Sequence, residues 1–116
     1  MYKYKVELKR IIDADTMDVI IDVGFDIKLQ KTIRIRNYDA PETWRPKNEN
    51  ELKHGESATR YAKKLLEGNN IVVKTYKEGI YNRYIADIIL DNGEDYASHM
   101  IGKGFKKQES EYYLDV

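Results

Sequence analysis

Polar and apolar residues alternate with a period of two at the start of the chain. Tyr2, Tyr4, Val6 and Leu8 interleave with Lys3, Lys5, Glu7 and Lys9, the pattern of a strand with one buried face. Residues 16–23 and 28–36 are rich in β-branched side chains and predict two more strands. Gly24 and Asp26 lie between them as turn formers, so the three strands read as a meander. Residues 37–55 are polar and hold both prolines, Pro41 and Pro46, which reads as a long functional or disordered loop. Ala58, Tyr61, Ala62, Leu65 and Leu66 then fall on one helical face, with Gly68 as the stop. Residues 70–76 and 84–90 predict a fourth and a fifth strand, and Asp91-Asn92-Gly93 a tight turn. A second helix is expected from about Asp95 through Ala97, Met100 and Ile101 to Gly102 and Gly104. From residue 105 onward the chain reads as a tail or a short helix.

The order βββ, helix, ββ, helix predicts an α+β fold. A five-stranded β-barrel of the oligonucleotide-binding (OB) type, with two to three helices, fits it. The 116 residues suit one domain, expected to span 1–116. No apolar run approaches the length of a membrane span, and residues 1–6 lack the continuous apolar core of an export signal. The expected location is therefore cytoplasmic, or outside the cell only if a leader has been removed. With no cysteine there is neither a disulfide framework nor a zinc–thiolate site. Twenty basic and twenty acidic residues cancel. A neutral chain that handles nucleic acid must do so through a local basic site. Ten of the aromatic residues are tyrosine, a side chain that serves strand faces and base stacking alike.

Two acidic clusters carry the candidate chemistry. Asp13-Ala14-Asp15-Thr16 joins the first strand to the second, and Asp39-Ala40-Pro41-Glu42-Thr43 follows the third. In a meander the start of the second strand and the end of the third share one edge, so four carboxylates converge there. Each like-charge pair at roughly 4 Å costs about 4 kcal/mol at an effective dielectric near 20, which a bound cation would relieve. Oxygen donors without histidine or cysteine favour calcium or magnesium. On the plain structural reading, Asp13 caps a turn, Asp15 is solvated and Asp39 opens a loop. Arg34, five residues before Asp39, and Arg83 in Tyr81-Asn82-Arg83-Tyr84 add two planar forks suited to phosphate. Acids, a candidate base and phosphate clamps together make up the inventory of metal-assisted phosphodiester hydrolysis.

These motifs, in this order, resemble the staphylococcal nuclease (thermonuclease) family, whose pattern is Asp-Gly-Asp-Thr, Arg with Asp-x-Pro-Glu five residues on, and Tyr-Gly-Arg. The resemblance spans about residues 6–105 and implies the same barrel. By this resemblance Asp15 and Asp39 would ligate Ca2+ directly, Ala40 through its backbone carbonyl, and Asp13 from the outer shell. Glu42 would be the general base, Arg34 and Arg83 the groups that hold the phosphate, and Tyr81 a phosphate contact. Tyr112 or Tyr113 would stack on a base. The implied reaction is calcium-dependent cleavage of DNA or RNA at the 5′ P–O bond, leaving a 3′-phosphate. Several positions depart from the family pattern. Ala14 and Asn82 replace glycines, Gly79 an aspartate and Ile80 a basic residue, and the span from Thr16 to Arg34 is longer. Ala14 would be strained if its position requires positive φ.

The rival of another class is a catalytically silent module on the same barrel that binds nucleic acid or protein. Retention of Asp15, Arg34, Asp39, Glu42 and Arg83 favours the enzyme. A restriction-type core built on Asp39 and Glu51-Leu52-Lys53 would need that triplet on a strand, and it lies in the polar segment. His54 and His99 lack metal-ligand spacing and read as surface or loop residues. The expected partner is a single-stranded or frayed DNA or RNA substrate, with no membrane, no obligate protein partner and a monomeric state.

Overall fold

A computed structural model of the chain describes residues 2–41, 48–76 and 84–107. Alternation becomes sheet as expected. β1 (Tyr2–Asp13), β2 (Thr16–Asp22) and β3 (Lys28–Ile35) form an antiparallel meander. After α1 (Glu49–Leu66) come β4 (Ile71–Thr75), β5 (Tyr84–Ile89) and α2 (Tyr96–Gly102). The sheet closes in the order β1-β2-β3-β5-β4, with β3 and β5 running parallel. The architecture is a closed five-stranded mixed barrel with two helices among the described residues, an α+β fold of the OB type. Within that described part no helix is long and apolar enough to cross a membrane.

Every second residue of each strand fills the barrel. Met17 and Val19 of β2, Ile33 and Ile35 of β3, Val73 of β4, and Ala86 and Ile88 of β5 are almost wholly buried. α1 covers β1 with Ala58, Ala62 and Leu66, and α2 lies against β5 with Tyr96, Ala97 and Met100.

Two boundaries differ from the sequence reading. β1 continues to Asp13, but its register with β2 shifts between Leu8 and Arg10 and again between Ile11 and Asp13. Such irregularities break the period of two, so the alternation fades while the strand continues. The polar stretch is also not loop to its end, because α1 starts at Glu49 rather than beyond Gly55. Asn48 caps it, its side chain accepting the Glu51 N–H at 2.9 Å. Glu49 and Glu51 in the first turn complement the helix dipole. Glu49 and Asn50 are exposed and Glu51 and Leu52 only half-buried, so this turn carries little apolar signal. Glu51-Leu52-Lys53 is therefore helical, which removes the strand geometry of the restriction-type alternative.

The predicted turns are present. Gly68 follows α1 at φ +73, a left-handed stop that glycine adopts freely. Between β2 and β3 the Ile27 N–H donates to the Gly24 carbonyl at 2.9 Å. Phe25 and Asp26 at its centre have φ 55 and 58, the signature of a type I′ turn.

Candidate metal and phosphate site

Register brings the two acidic motifs together. Ala14 and Asp15 form the two-residue turn between the paired Asp13 and Thr16, and Thr16 stands opposite Arg34. The Ile35 N–H donates to the Asp15 carbonyl at 2.8 Å, tying that turn to the last residue of β3. Beyond β3 the chain turns through Asn37, whose φ of 56 asparagine tolerates, and delivers Asp39 to the same edge.

Arg34 is the hub. Its Nη2 donates to Asp39 Oδ1 and lies 3.5 Å from Asp15 Oδ2. Its Nη1 donates to the carbonyls of Tyr38 and Ile35, and at 3.4 Å to that of Asp15. One planar guanidinium thus bridges carboxylates that lie 24 positions apart in the chain, at 15 and 39. The Asp15 carboxylate is further fixed at both oxygens. Oδ2 accepts the Ala40 N–H at 2.8 Å, and Oδ1 accepts the Thr16 hydroxyl at 2.9 Å.

The side chains of Asp15, Arg34 and Asp39 are 13%, 23% and 28% exposed, so the cluster is largely shielded yet open on one side. Burial is the main influence on Asp15 and pushes its pKa above the usual carboxylate value. Arg34, the Ala40 N–H and the Thr16 hydroxyl act against that shift, and the neighbouring Asp13 adds to it. Asp15 is thus an acid whose negative charge its surroundings do not fully compensate. Bound positive charge would compensate it.

The loops are held from below by two buried tyrosines. The Tyr96 hydroxyl donates to the Ala14 carbonyl at 2.6 Å, and the Tyr96 and Tyr38 rings meet edge to face. Burial, with Tyr38 and Asp15 nearby, raises the Tyr96 pKa well above its ordinary value, so the hydroxyl keeps its proton. Tyr38 donates to the Phe105 carbonyl, and the Lys107 N–H to the Asp39 carbonyl at 2.8 Å. Sequence reasoning missed Tyr38, Tyr96 and the Thr16 hydroxyl as supports. The available signal was a tyrosine on the apolar face of α2, since a buried phenol needs a hydrogen-bond partner.

Ala14 is fully buried and keeps negative φ, so the glycine-to-alanine departure strains nothing here. Asp13, Asp15, Arg34, Asp39 and Ala40 all fall at this edge. Glu42, Tyr81, Arg83, Tyr112 and Tyr113 lie outside the described residues. Among the described residues no group of three or more acids or histidines is arranged to hold a metal ion. Two carboxylates and backbone oxygen are hard donors that suit calcium or magnesium, so the donor set fits such an ion without completing its shell. The histidines differ from the surface or loop expectation. His99 is in α2, between Glu94 Oε2 at 2.9 Å and the Tyr61 hydroxyl at 2.8 Å, and the His54 ring in α1 meets that of Phe105 at a tilt of 38°.

Comparison with curated proteins found no match. The sequence model of the family described as staphylococcal nuclease homologue matches residues 32–113. That span contains Arg34, Asp39, Glu42, Tyr81 and Arg83 but begins after Asp15, which the β2–β3 register returns to its side. With most of its length matched, the chain belongs to the staphylococcal nuclease homologue family.

Proposed function

We propose that the protein is a calcium-dependent nuclease that hydrolyses phosphodiester bonds of DNA or RNA. The observation that carries this reading is the meeting of Asp15, Arg34 and Asp39 at one partly open edge of the barrel. When bound there, a divalent cation would supply positive charge at the phosphate and acidify the attacking water. Asp15 and Asp39 would hold it, with the Ala40 carbonyl as a third ligand and Asp13 in the outer shell. Glu42 takes the proton from the water. Arg34 and Arg83 bind the phosphate oxygens and stabilise the charge that grows on them in the transition state. Supporting Arg83, the residue two positions after it, Ile85, is the register partner of Arg34. Tyr81 contributes a phosphate contact, and Tyr112 or Tyr113 a stacking surface.

A second reading has its own observation. The fork of Arg34 is already bonded to two carboxylates and three carbonyls, as in a purely structural hub on a silent binding module. The two readings separate in one assay. A labelled single strand incubated with the protein is expected to be cut in calcium and left intact in chelator, giving 3′-phosphate ends. Glu42→Gln and Arg83→Ala should each slow turnover at least about a hundredfold with the fold retained. A strand retarded but uncut in calcium would establish the silent module instead.

A further inference from the structure

The mouth of the barrel around Leu29 and Lys31 of β3 and the first residues of β1 and β5 carries a second group of features that the hydrolytic site does not use. There a groove of about 450 Å3 is lined by Tyr2, Tyr4, Leu29, Lys31, Tyr76 and Tyr84, among others. Tyr2 and Tyr4 stack on each other with ring centres 6.3 Å apart, and Tyr2 and Tyr84 remain 69% and 44% exposed. Tyr2, Tyr4 and Tyr84 occupy inward-facing positions that further along the same strands hold Val6, Ala86 and Ile88. A barrel end finished only for stability would close over them.

Charge distinguishes this mouth from a generic apolar patch. Lys31 occupies an inward position of β3, opposite fully buried Val19, and its ammonium lies 5.7 Å from the centre of the Tyr84 ring. On the outer face of the same end, Lys3 stands directly across from Lys74, next to Lys5, and the acid on the other side of Lys74, Asp87, is already bonded to Arg36 and Tyr76. Like charges paired across strands are destabilising. In a chain of zero net charge, this local excess of ammonium groups beside exposed rings fits a ligand that alternates aromatic faces with negative charges. Single-stranded nucleic acid has that composition.

We infer that the barrel mouth is a base-stacking subsite for single-stranded nucleic acid, separate from the carboxylate edge. Bases stack on Tyr2 and Tyr84, and Lys31 with the Lys3–Lys74 pair meets the phosphates. A duplex cannot present its base faces, so the subsite selects unpaired strands. The inference shares with the nuclease reading only the ligand, and it does not require cleavage.

The test is fluorescence anisotropy in chelator with a labelled 12-nucleotide thymidine strand, an abasic strand of equal length and a 12-base-pair duplex, each taken as a probe on the order of one OB-fold site. The thymidine strand should bind about tenfold tighter than the abasic one, since each stacked base contributes measurably. Tyr2→Ala combined with Tyr84→Ala should abolish that preference, while Tyr2→Phe with Tyr84→Phe should keep it. Lys31→Ala should weaken both strands and flatten the salt dependence. Equal binding of the two strands by the parent, or an unchanged preference in the alanine pair, overturns the inference. So does sedimentation showing a dimer that the alanine pair dissociates, because the mouth would then be covered by a second copy. Hydrolysis of a short chromogenic phosphodiester in calcium tests the other reading separately. The alanine pair should retain that hydrolysis, and a parent that binds strands through its tyrosines without hydrolysing the diester would leave the subsite standing alone.

Discussion

At the scale of single residues, the site is governed by the competition around Asp15. Burial raises its pKa above the ordinary aspartate value of 3.8 against the pull of Arg34 and two hydrogen bonds. A carboxyl whose folded pKa lies above its unfolded value contributes stability that is fully present below the unfolded value and lost as pH rises through the folded one. Asp15→Asn cannot ionise and escapes that loss. In chelator, the melting temperature of the variant minus that of the parent is therefore expected to increase as pH rises from below 3.8 toward neutrality, then level off. Thermal melts of both proteins across that range check it, and a difference that falls with pH contradicts the assignment. Calcium at neutral pH should act in the other direction, stabilising the parent more than the variant.

Among the elements, the meander and its turns do most to set the geometry. The two-residue turn at Ala14 and Asp15 puts Thr16 opposite Arg34, and a register slip of one residue would send Arg34 into the core and Ile33 or Ile35 out of it. The turn at the other end of β2 is locally strained, because Phe25 holds φ 55 with its ring 97% exposed. A bulky residue gains nothing there to offset left-handed backbone. Replacing Phe25 with Asn and Asp26 with Gly supplies the residues that a type I′ turn favours. The double variant is expected to be more stable by about 1 kcal/mol, read as a higher denaturant midpoint at an unchanged slope. A lower midpoint would mean that the Phe25 ring makes a contact worth more than the backbone strain.

For the whole molecule, the proposed function links closure of the barrel to capture of a cation. The proposed ligands, Asp15 in the turn before β2 and Asp39 and Ala40 after β3, meet only in the native state, so calcium held by them is expected to favour folding. At a hundredfold excess over Kd the gain is about 2.7 kcal/mol, a rise on the order of 10 °C for a domain of this size. Differential scanning calorimetry with calcium and with chelator measures it, and an unmoved melt at millimolar calcium would remove Asp15 and Asp39 as ligands. The same measurement with magnesium tells whether the edge discriminates between the two ions.

Local pattern alone determined the five strands, the apolar face of α1, the Gly68 stop and the residues of both acidic motifs. Each of these is written in spacings of a few residues, where side-chain alternation and turn chemistry act directly. Where the pattern is locally silent the sequence misled. The start of α1 is a capped, polar turn with no apolar face, and the later part of β1 is shifted in register so that its alternation is lost. Only the tertiary structure decided that Arg34 clasps Asp15 and Asp39, that Tyr96 supports the Ala14 turn and that Tyr2 and Tyr84 are left exposed at the barrel mouth. Those relations join residues from distant parts of the chain. They depend on which strands pair and on where closure of the sheet leaves side chains uncovered, which no short window of sequence specifies.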